Sequence, residues 1–145
     1  MSEVVEPVAE AAAEPVAEPV AEWREMARRV SGASCRLDKV LHEGYGVGMS
    51  EFEILDRLAE RADVCMKMQE LGEAVHLTQS ALSRAVARLE KEGLVERSMC
   101  SEDRRAISVQ LTDSGRTRWS DARPAHRSVV EEFFGQALAA LRPTR

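Results

Sequence analysis

Residues 78–93 read TQSALSRAVARLEKEG, and this segment limits the architectures open to the chain more than any other. Thr78 is a good helix N-cap and Gly93 stands at the C-terminal cap position, so a helix is predicted to run to about Lys91. One face of that helix is apolar and consists of Leu82, Ala85, Val86 and Leu89. The other face carries small polar or basic side chains, which allow close approach to a partner surface.

Two predicted strands follow this helix. Residues 94–97 and 106–111 alternate between apolar and polar side chains, as strands with one buried face do. The connection between them is short and polar, and it contains the charged sequence Asp103-Arg104-Arg105. These features predict a β-hairpin with a charged tip.

Two shorter helices are predicted before residue 78. Ser50 and Glu53 have the spacing of a capping box, which predicts that a helix begins there with Phe52 and Leu55 facing inward. A short strand or turn near residues 64–66 leads to a small helix over about 67–75. Helix, turn, helix and hairpin in this order predict a winged helix-turn-helix domain over residues 49–115, within a mainly α fold.

Long amphipathic helices flank this domain. One apolar stripe begins at Trp23, and another follows Pro124, where a break or kink of the chain is expected at Arg123. The stripes are too wide for a monomer of this size to cover, which predicts homodimerisation through residues 23–48 and 116–145. The predicted dimer contacts are Trp23, Met26, Val30, Phe133, Phe134, Leu138 and Leu141. The alternative is that the same two helices pack against each other within one chain.

The acidity of the chain is concentrated in its first 22 residues. The formal net charge is −5, but residues 1–22 hold six glutamates and no base, which leaves 20 basic and 19 acidic side chains elsewhere. This segment repeats Val-Ala-Glu-Pro, and its prolines would interrupt any helix, so residues 1–22 are predicted to be a disordered acidic tail. Any affinity for nucleic acid must therefore come from local basic patches.

The composition disfavours an enzyme, a membrane protein and a metalloprotein. The sequence has no HExxH, GxSxG or P-loop motif, so no enzymatic activity and no cofactor are expected. No apolar run reaches the roughly 18 residues of a membrane span and no secretory signal is recognisable, so a cytoplasmic protein without membrane contact is expected. Cys35, Cys65 and Cys100 fit neither a disulfide framework nor a zinc pattern, which predicts reduced thiols and no bound metal.

The polar helix face and the hairpin tip together predict contact with double-stranded DNA. The major groove admits one α-helix, and short hydrogen-bonding side chains together with arginine read base edges best. Wing arginines can enter the adjacent minor groove, where Asp103 can orient one guanidinium. The predicted DNA contacts are Thr78, Gln79, Ser80, Ser83, Arg84, Arg88, Asp103, Arg104 and Arg105.

These motifs resemble those of the multiple-antibiotic-resistance regulator (MarR) family. The resemblance rests on TQSALSR at 78–84, LEKEGLV at 89–95, the Asp103-Arg104-Arg105 wing, and VQLT at 109–112 followed by Gly115. It implies a homodimer with its recognition helices in successive major grooves and its wing arginines in the flanking minor grooves, Arg105 being the wing-tip arginine and Asp103 its partner. It also implies repression that is relieved by a small ligand or by thiol oxidation.

The expected function is therefore that of a transcription regulator, in the simplest case a repressor, which binds a palindromic operator as a homodimer. Two alternatives stay open. Oxidation of Cys35 or Cys100 would make the regulator redox-responsive if the thiol is accessible and its pKa is low. Alternatively, the winged helix contacts protein instead of DNA, and the acidic tail recruits partners.

Overall fold

The computed structural model describes residues 17–61, 65–98 and 106–141, with side chains over 18–61, 65–98 and 106–135. Its helices are α1 (Ala17–Tyr45), α2 (Met49–Glu60), α3 (Met68–Val75), α4 (Gln79–Lys91) and α5 (Asp113–Leu141). Its strands are β1 (Met66–Lys67), β2 (Val95–Ser98) and β3 (Ser108–Leu111). In the described part of the chain, helix therefore dominates and strand is confined to three short segments.

The strands form one antiparallel sheet in the order β1-β3-β2. Val95 lies opposite Leu111 and Ser98 opposite Ser108, so β2 and β3 make the predicted hairpin. β1 pairs with the other edge of β3, with Met66 opposite Val109. The mainly α fold with a small β-hairpin wing is confirmed.

α1 begins earlier than the sequence predicts. Residues 17–22, assigned above to a disordered tail, belong to the helix. Pro19 is accommodated because it lies in the first turn, where backbone N–H groups have no intrahelical acceptor to lose. Residues 1–16, the remainder of the predicted tail, lie outside the described residues.

α2 starts one residue before Ser50, and its cap differs from the predicted one. Gly48 is the N-cap residue, and the carboxylate of Glu51 accepts a hydrogen bond from the Gly48 N–H at 2.6 Å. The predicted capping box of Ser50 and Glu53 is therefore wrong. The start of α2 is fixed from α1 instead, because Asp38 Oδ1 accepts a hydrogen bond from the backbone N–H at the first position of α2, at 3.0 Å.

α5 is continuous where a break was expected. It runs from Asp113 to Leu141 with Pro124 inside it, so the predicted interruption at Arg123 is wrong. Pro124 removes one backbone donor, but it lies on the exposed side of the helix, where water can satisfy the carbonyl left without a partner. Packing of α5 against α1 and α2 holds the helix together on both sides of the proline.

One apolar core lies beneath the helix-turn-helix. Its largest buried side chains include Phe52, Leu55, Leu71, Leu89 and Val109. They come from α2, α3, α4 and β3, so these elements form a single packed body, each such side chain contributing about 1.5–3 kcal/mol by burial. None of the described helices is both long and apolar enough to cross a membrane.

Candidate nucleic-acid interface

α4 is held in a fixed orientation by its two ends and one buried face. The Thr78 Oγ1 accepts a hydrogen bond from the Ala81 N–H at 3.2 Å, and Gly93 takes a φ of +74° just after the helix. The predicted inner face is buried and consists of Leu82, Ala85, Val86 and Leu89. Because both ends are capped and this face is packed, the opposite face must point outward.

The outward face of α4 brings together the predicted base-reading side chains. Gln79, Ser80, Ser83 and Arg84 are all exposed on its first two turns. Hydroxyl and amide groups both donate and accept hydrogen bonds, whereas a guanidinium only donates. This combination matches the donors and acceptors that base pairs present in a major groove.

Arg88 lies one turn farther along and has a partner within the chain. Its Nε donates to Glu51 Oε1 at 2.6 Å, and the same carboxylate caps α2. Arg88 is 59% exposed and Glu51 is 13% exposed, so the arginine lies at the rim of the α4 surface while the carboxylate is tucked beneath it. Glu51 therefore partly neutralises a cation that the sequence assigned to DNA.

Thr112 joins the hairpin to both α4 and α5. Its Oγ1 donates to the Gly93 carbonyl at 2.6 Å and accepts from the Gly115 N–H at 3.0 Å. Its own N–H donates to the Leu94 carbonyl at 3.1 Å. A side chain at Gly115 would collide with that carbonyl oxygen, which explains why glycine follows Thr112 at this spacing.

The predicted wing-tip residues lie outside the described residues. The paired strands end at Ser98 and begin again at Ser108, so the base of the wing is defined. Asp103, Arg104 and Arg105 belong to the intervening segment. Their proposed contacts with DNA stay predictions from the sequence.

The N-terminal half of α1 carries a row of exposed apolar side chains. Trp23 is 69% exposed, Met26 48% and Val30 49%. The other predicted dimer contacts lie on α5, where Phe133 and Phe134 are half-buried and the side chains of Leu138 and Leu141 lie outside the described residues. Phe133 packs against the core of its own chain, as the intramolecular alternative required, whereas no such packing is seen for the α1 row among the residues whose side chains are described.

The cysteines differ from the sequence prediction in one respect. Cys65 is disulfide-bonded, so the expectation of reduced thiols is wrong for this residue. The fold places it beside the hairpin, its sulfur 3.5 Å from Ser98 Oγ and 3.1 Å from Gln110 Oε1, a proximity that sequence spacing does not reveal. Cys35 carries a free, exposed thiol on α1, and Cys100 lies outside the described residues.

The metal-ligating residue types do not converge in the described part of the chain. Among the residues there, no group of three or more His, Cys, Asp or Glu side chains could hold a metal ion.

A buried polar cluster between α2 and α5 was missed by the sequence prediction. Asp56 accepts hydrogen bonds from Trp119 Nε1 at 2.8 Å and from both terminal nitrogens of Arg127 at 2.9 and 3.0 Å. One of those nitrogens lies 2.7 Å from His126 Nδ1, and the His126 ring packs on Phe52 with centroids 4.5 Å apart. Asp56 lies 63 and 71 positions from Trp119 and Arg127, so sequence spacing does not bring the cluster together, and only the polar side chains on the inner face of α5 could have indicated it.

Burial and charge act against each other in this cluster. Burial by itself would raise the pKa of the Asp56 carboxyl, but the hydrogen bonds from Arg127 and Trp119 and the arginine charge hold it below its ordinary value. Burial lowers the pKa of His126, and the neighbouring Arg127 charge lowers it further, against the opposing effect of Asp56. The cluster therefore contains an ionised Asp–Arg pair beside a neutral imidazole at pH 7.

Comparison with known proteins places this architecture in a family. The MarR family profile matches residues 47–107. The structure of Sco3205, a MarR family transcriptional regulator from Streptomyces coelicolor solved in complex with DNA, is similar with a TM-score of 0.74 and 32% identity, covering 83% of this chain and 75% of that one. The transcriptional regulator BldR from Sulfolobus solfataricus gives a TM-score of 0.77 at 27% identity, covering 88% of this chain and 94% of that one.

A curated relative agrees with these structural similarities. The HTH-type transcriptional repressor YetL of Bacillus subtilis is 30% identical over 87 residues, which are 60% of this chain and 52% of that protein. The chain spans about half the length of the curated relatives it matches. The chain belongs to the MarR family of helix-turn-helix transcription regulators, as its motifs predicted.

Proposed function

We propose that this chain is a cytoplasmic transcription repressor that binds a palindromic DNA operator as a homodimer. The observation that carries the proposal is the outward face of α4, where Gln79, Ser80, Ser83 and Arg84 are exposed on a helix fixed by caps and burial. The similarity to Sco3205, which was solved in complex with DNA, supports this assignment. YetL, a relative named as a repressor, supports the direction of regulation.

In the proposed complex the first turns of α4 enter the major groove. Ser83 and Arg84 contact base edges, and Thr78, Gln79 and Ser80 lie beside the nearest phosphates and bases. Arg88 reaches a phosphate by leaving Glu51. Arg88 is 59% exposed but Glu51 only 13%, so the exchange leaves a largely buried carboxylate that keeps its hydrogen bond from the Gly48 N–H, and this cost offsets part of the phosphate contact.

The wing supplies a second contact in this proposal. Arg104 and Arg105 would enter the flanking minor groove, with Asp103 orienting one guanidinium, as the resemblance to the family implies. The position of the wing base beside the end of α4 supports this arrangement, because Thr112 bonds to both Gly93 and Leu94. On this proposal, Arg105→Ala weakens operator binding by about 1–3 kcal/mol.

The dimer interface is proposed to include the exposed apolar row of α1. Trp23, Met26 and Val30 would be covered by the second copy, together with Phe134, Leu138 and Leu141 near the end of α5. An interface of this type relates the two recognition helices by a two-fold axis, which is why the operator is expected to be palindromic.

The test begins with selection of bound fragments from a randomised duplex library by the full-length protein. We expect the selected site to be palindromic. We also expect the logarithm of the binding constant to fall with the logarithm of the salt concentration, with a slope of about −0.9 per phosphate contacted. Ser83→Ala and Arg84→Ala should change the base preference at one position of each half-site, and Arg84→Ala should cost about 1–3 kcal/mol. Arg28→Ala is the matched control, because Arg28 is 76% exposed on α1, away from α4, and forms an ion pair with its neighbour Glu25.

Two results would count against the proposal. If the wild-type protein has no salt-dependent affinity for any duplex, the alternative of a protein-binding winged helix is favoured. If the two α4 variants select the same sites as the wild type, α4 does not read bases.

Control of DNA binding by thiol chemistry is a second candidate function. The disulfide at Cys65 favours Cys65 over Cys35 as the residue that would exert this control. The Cys65 sulfur lies against both strands of the wing, so reduction of its disulfide by a dithiol would release a covalent restraint there. We expect operator affinity to differ with and without dithiothreitol, and Cys65→Ser to abolish that difference while Cys35→Ser keeps it. Relief by a small ligand is the other mode that the resemblance implies, and we assign it no site.

A further inference from the structure

The winged helix and the long helices meet through α5. This helix follows directly on β3, packs along α2 and pairs with α1. Any change in its angle to α2 therefore changes the orientation of α4 relative to the α1–α5 helix pair. The buried cluster of Asp56, Trp119, His126 and Arg127 lies at this α2–α5 contact.

We propose that Asp56, Trp119, His126 and Arg127 form a positioning cluster that sets the angle between the winged helix and the α1–α5 pair, and thereby the half-site spacing that the dimer accepts. The inference rests on the proposed function, because a half-site spacing exists only for a dimer on DNA. None of these residues needs to touch DNA for this role.

The geometry of the cluster is directional in a way that apolar packing is not. Hydrophobic contact has no preferred direction and tolerates small rotations of one helix on another. The Asp56 carboxylate, by contrast, receives an arginine fork on both oxygens and an indole N–H on one of them, from two turns of α5. A charge-assisted fork of this kind keeps its strength only within a narrow range of angles.

Burial makes a rotation of the cluster costly. Asp56 is 6% exposed, so water cannot easily replace a donor that moves away. His126 is similarly buried, and its ring is confined between Phe52 and Arg127. A tilt of α5 on α2 would leave a buried carboxylate partly unpaired, which disfavours intermediate angles.

The contact between α1 and α5 offers a natural comparison. Arg36 donates to Glu132 at 3.0 Å across those two helices, but both side chains are about half exposed. Water can compete for each group, so this pair imposes little angular restraint. Glu132→Gln therefore removes one carboxylate charge, as Asp56→Asn does, from another contact of α5, and it leaves the positioning cluster intact.

The experiment measures binding of the full-length protein to a series of duplexes. Each duplex carries the two selected half-sites, with the spacer shortened or lengthened by single base pairs, and one duplex carries a single half-site. We expect the wild type and Glu132→Gln to bind one spacing best. Asp56→Asn should reduce the preference for that spacing by about tenfold, because a charge-assisted hydrogen bond no longer penalises other angles of α5 on α2. The affinity for the single half-site and the dependence of binding on salt concentration should stay the same.

The outcomes separate this inference from the proposed function. If Asp56→Asn keeps the wild-type preference among spacings, the positioning role is overturned. If the wild type selects no paired half-sites, the proposed function itself fails first. If Asp56→Asn does not fold at the assay temperature, Trp119→Phe replaces it as the test variant, because this change removes a single hydrogen bond to Asp56. Trp119→Phe must then show a smaller loss of the spacing preference in the same direction. An unchanged preference in that variant overturns the inference.

Discussion

At the scale of single residues, the protonation of His126 depends on the groups packed around it. A guanidinium can only donate, so the 2.7 Å contact with Arg127 requires His126 Nδ1 to accept. The imidazole is therefore neutral and carries its proton on Nε2. Protonation would place a second cation against Arg127 in a buried site, and the lowered pKa of His126, caused first by burial and then by that charge, reflects this cost.

His126 should therefore make the protein less stable in mild acid. Its pKa in the folded state lies below the ordinary value of 6.5, so the unfolded chain takes up a proton first as the pH falls. The free energy of unfolding should decrease below about pH 6.5, by at most about 1.4 kcal/mol per pH unit. Urea denaturation at several values between pH 7.5 and pH 5.5 measures this slope.

The control for this prediction is the difference between variants. His126→Asn keeps an acceptor beside Arg127 and should lose the pH dependence, whereas His42→Asn, at an exposed position of α1, should keep it. Glu53, whose pKa burial raises, acts in the opposite direction at lower pH, and it contributes equally to all three proteins. Identical slopes for the wild type and His126→Asn would show that this imidazole is not the titrating group.

At the scale of the elements, α4 owes its start to one hydroxyl. Replacing Thr78 by alanine removes the acceptor of the Ala81 N–H and should lower the free energy of unfolding by about 1 kcal/mol. Thr117→Ala is the matched control, because its hydroxyl donates to the Asp113 carbonyl inside α5, where alanine has the higher helix propensity. Urea denaturation compares the two, and an equal effect would mean that the Thr78 cap contributes nothing specific.

The elements also show which features the sequence could predict. The apolar spacing and caps of α4, and the alternation of the hairpin strands, are local patterns, and the structure confirms both. The start of α1 and the continuity of α5 depend on where a proline falls within a helix and on what packs around it. A rule based on the presence of Pro19 or Pro124 alone therefore predicted a tail and a break where helices continue.

The same distinction separates the two candidate sites. The outward face of α4 follows from helical spacing within the seven residues from Thr78 to Arg84, so it could be predicted from the sequence. The positioning cluster joins Asp56 to Arg127, which are 71 positions apart in sequence. No local pattern encodes that pairing, because it exists only after α5 has packed on α2.

At the scale of the whole molecule, the exposed apolar row of α1 predicts the assembly state. Val30→Glu would place a carboxylate in the proposed interface without a partner, and we expect it to raise the dimer dissociation constant by at least about tenfold. Sedimentation velocity over a concentration series measures this. Lys39→Glu, at an exposed position on the same helix, changes charge more and should leave the dimer intact. A monomeric wild type, or a Val30→Glu protein that dimerises normally, would rule out this interface.

The junction at Thr112 has a mechanical consequence. A single residue separates the end of β3 from the 29-residue α5, and its hydroxyl ties that helix to the end of α4. α5 is about 43 Å long and begins beside α4, so a difference of about 5° in the angle at which the positioning cluster holds it displaces its far end by about 4 Å. On the proposed function, a small displacement of α4 at the duplex therefore corresponds to a larger displacement at the far end of α5, and a displacement at that far end corresponds to a smaller one at α4.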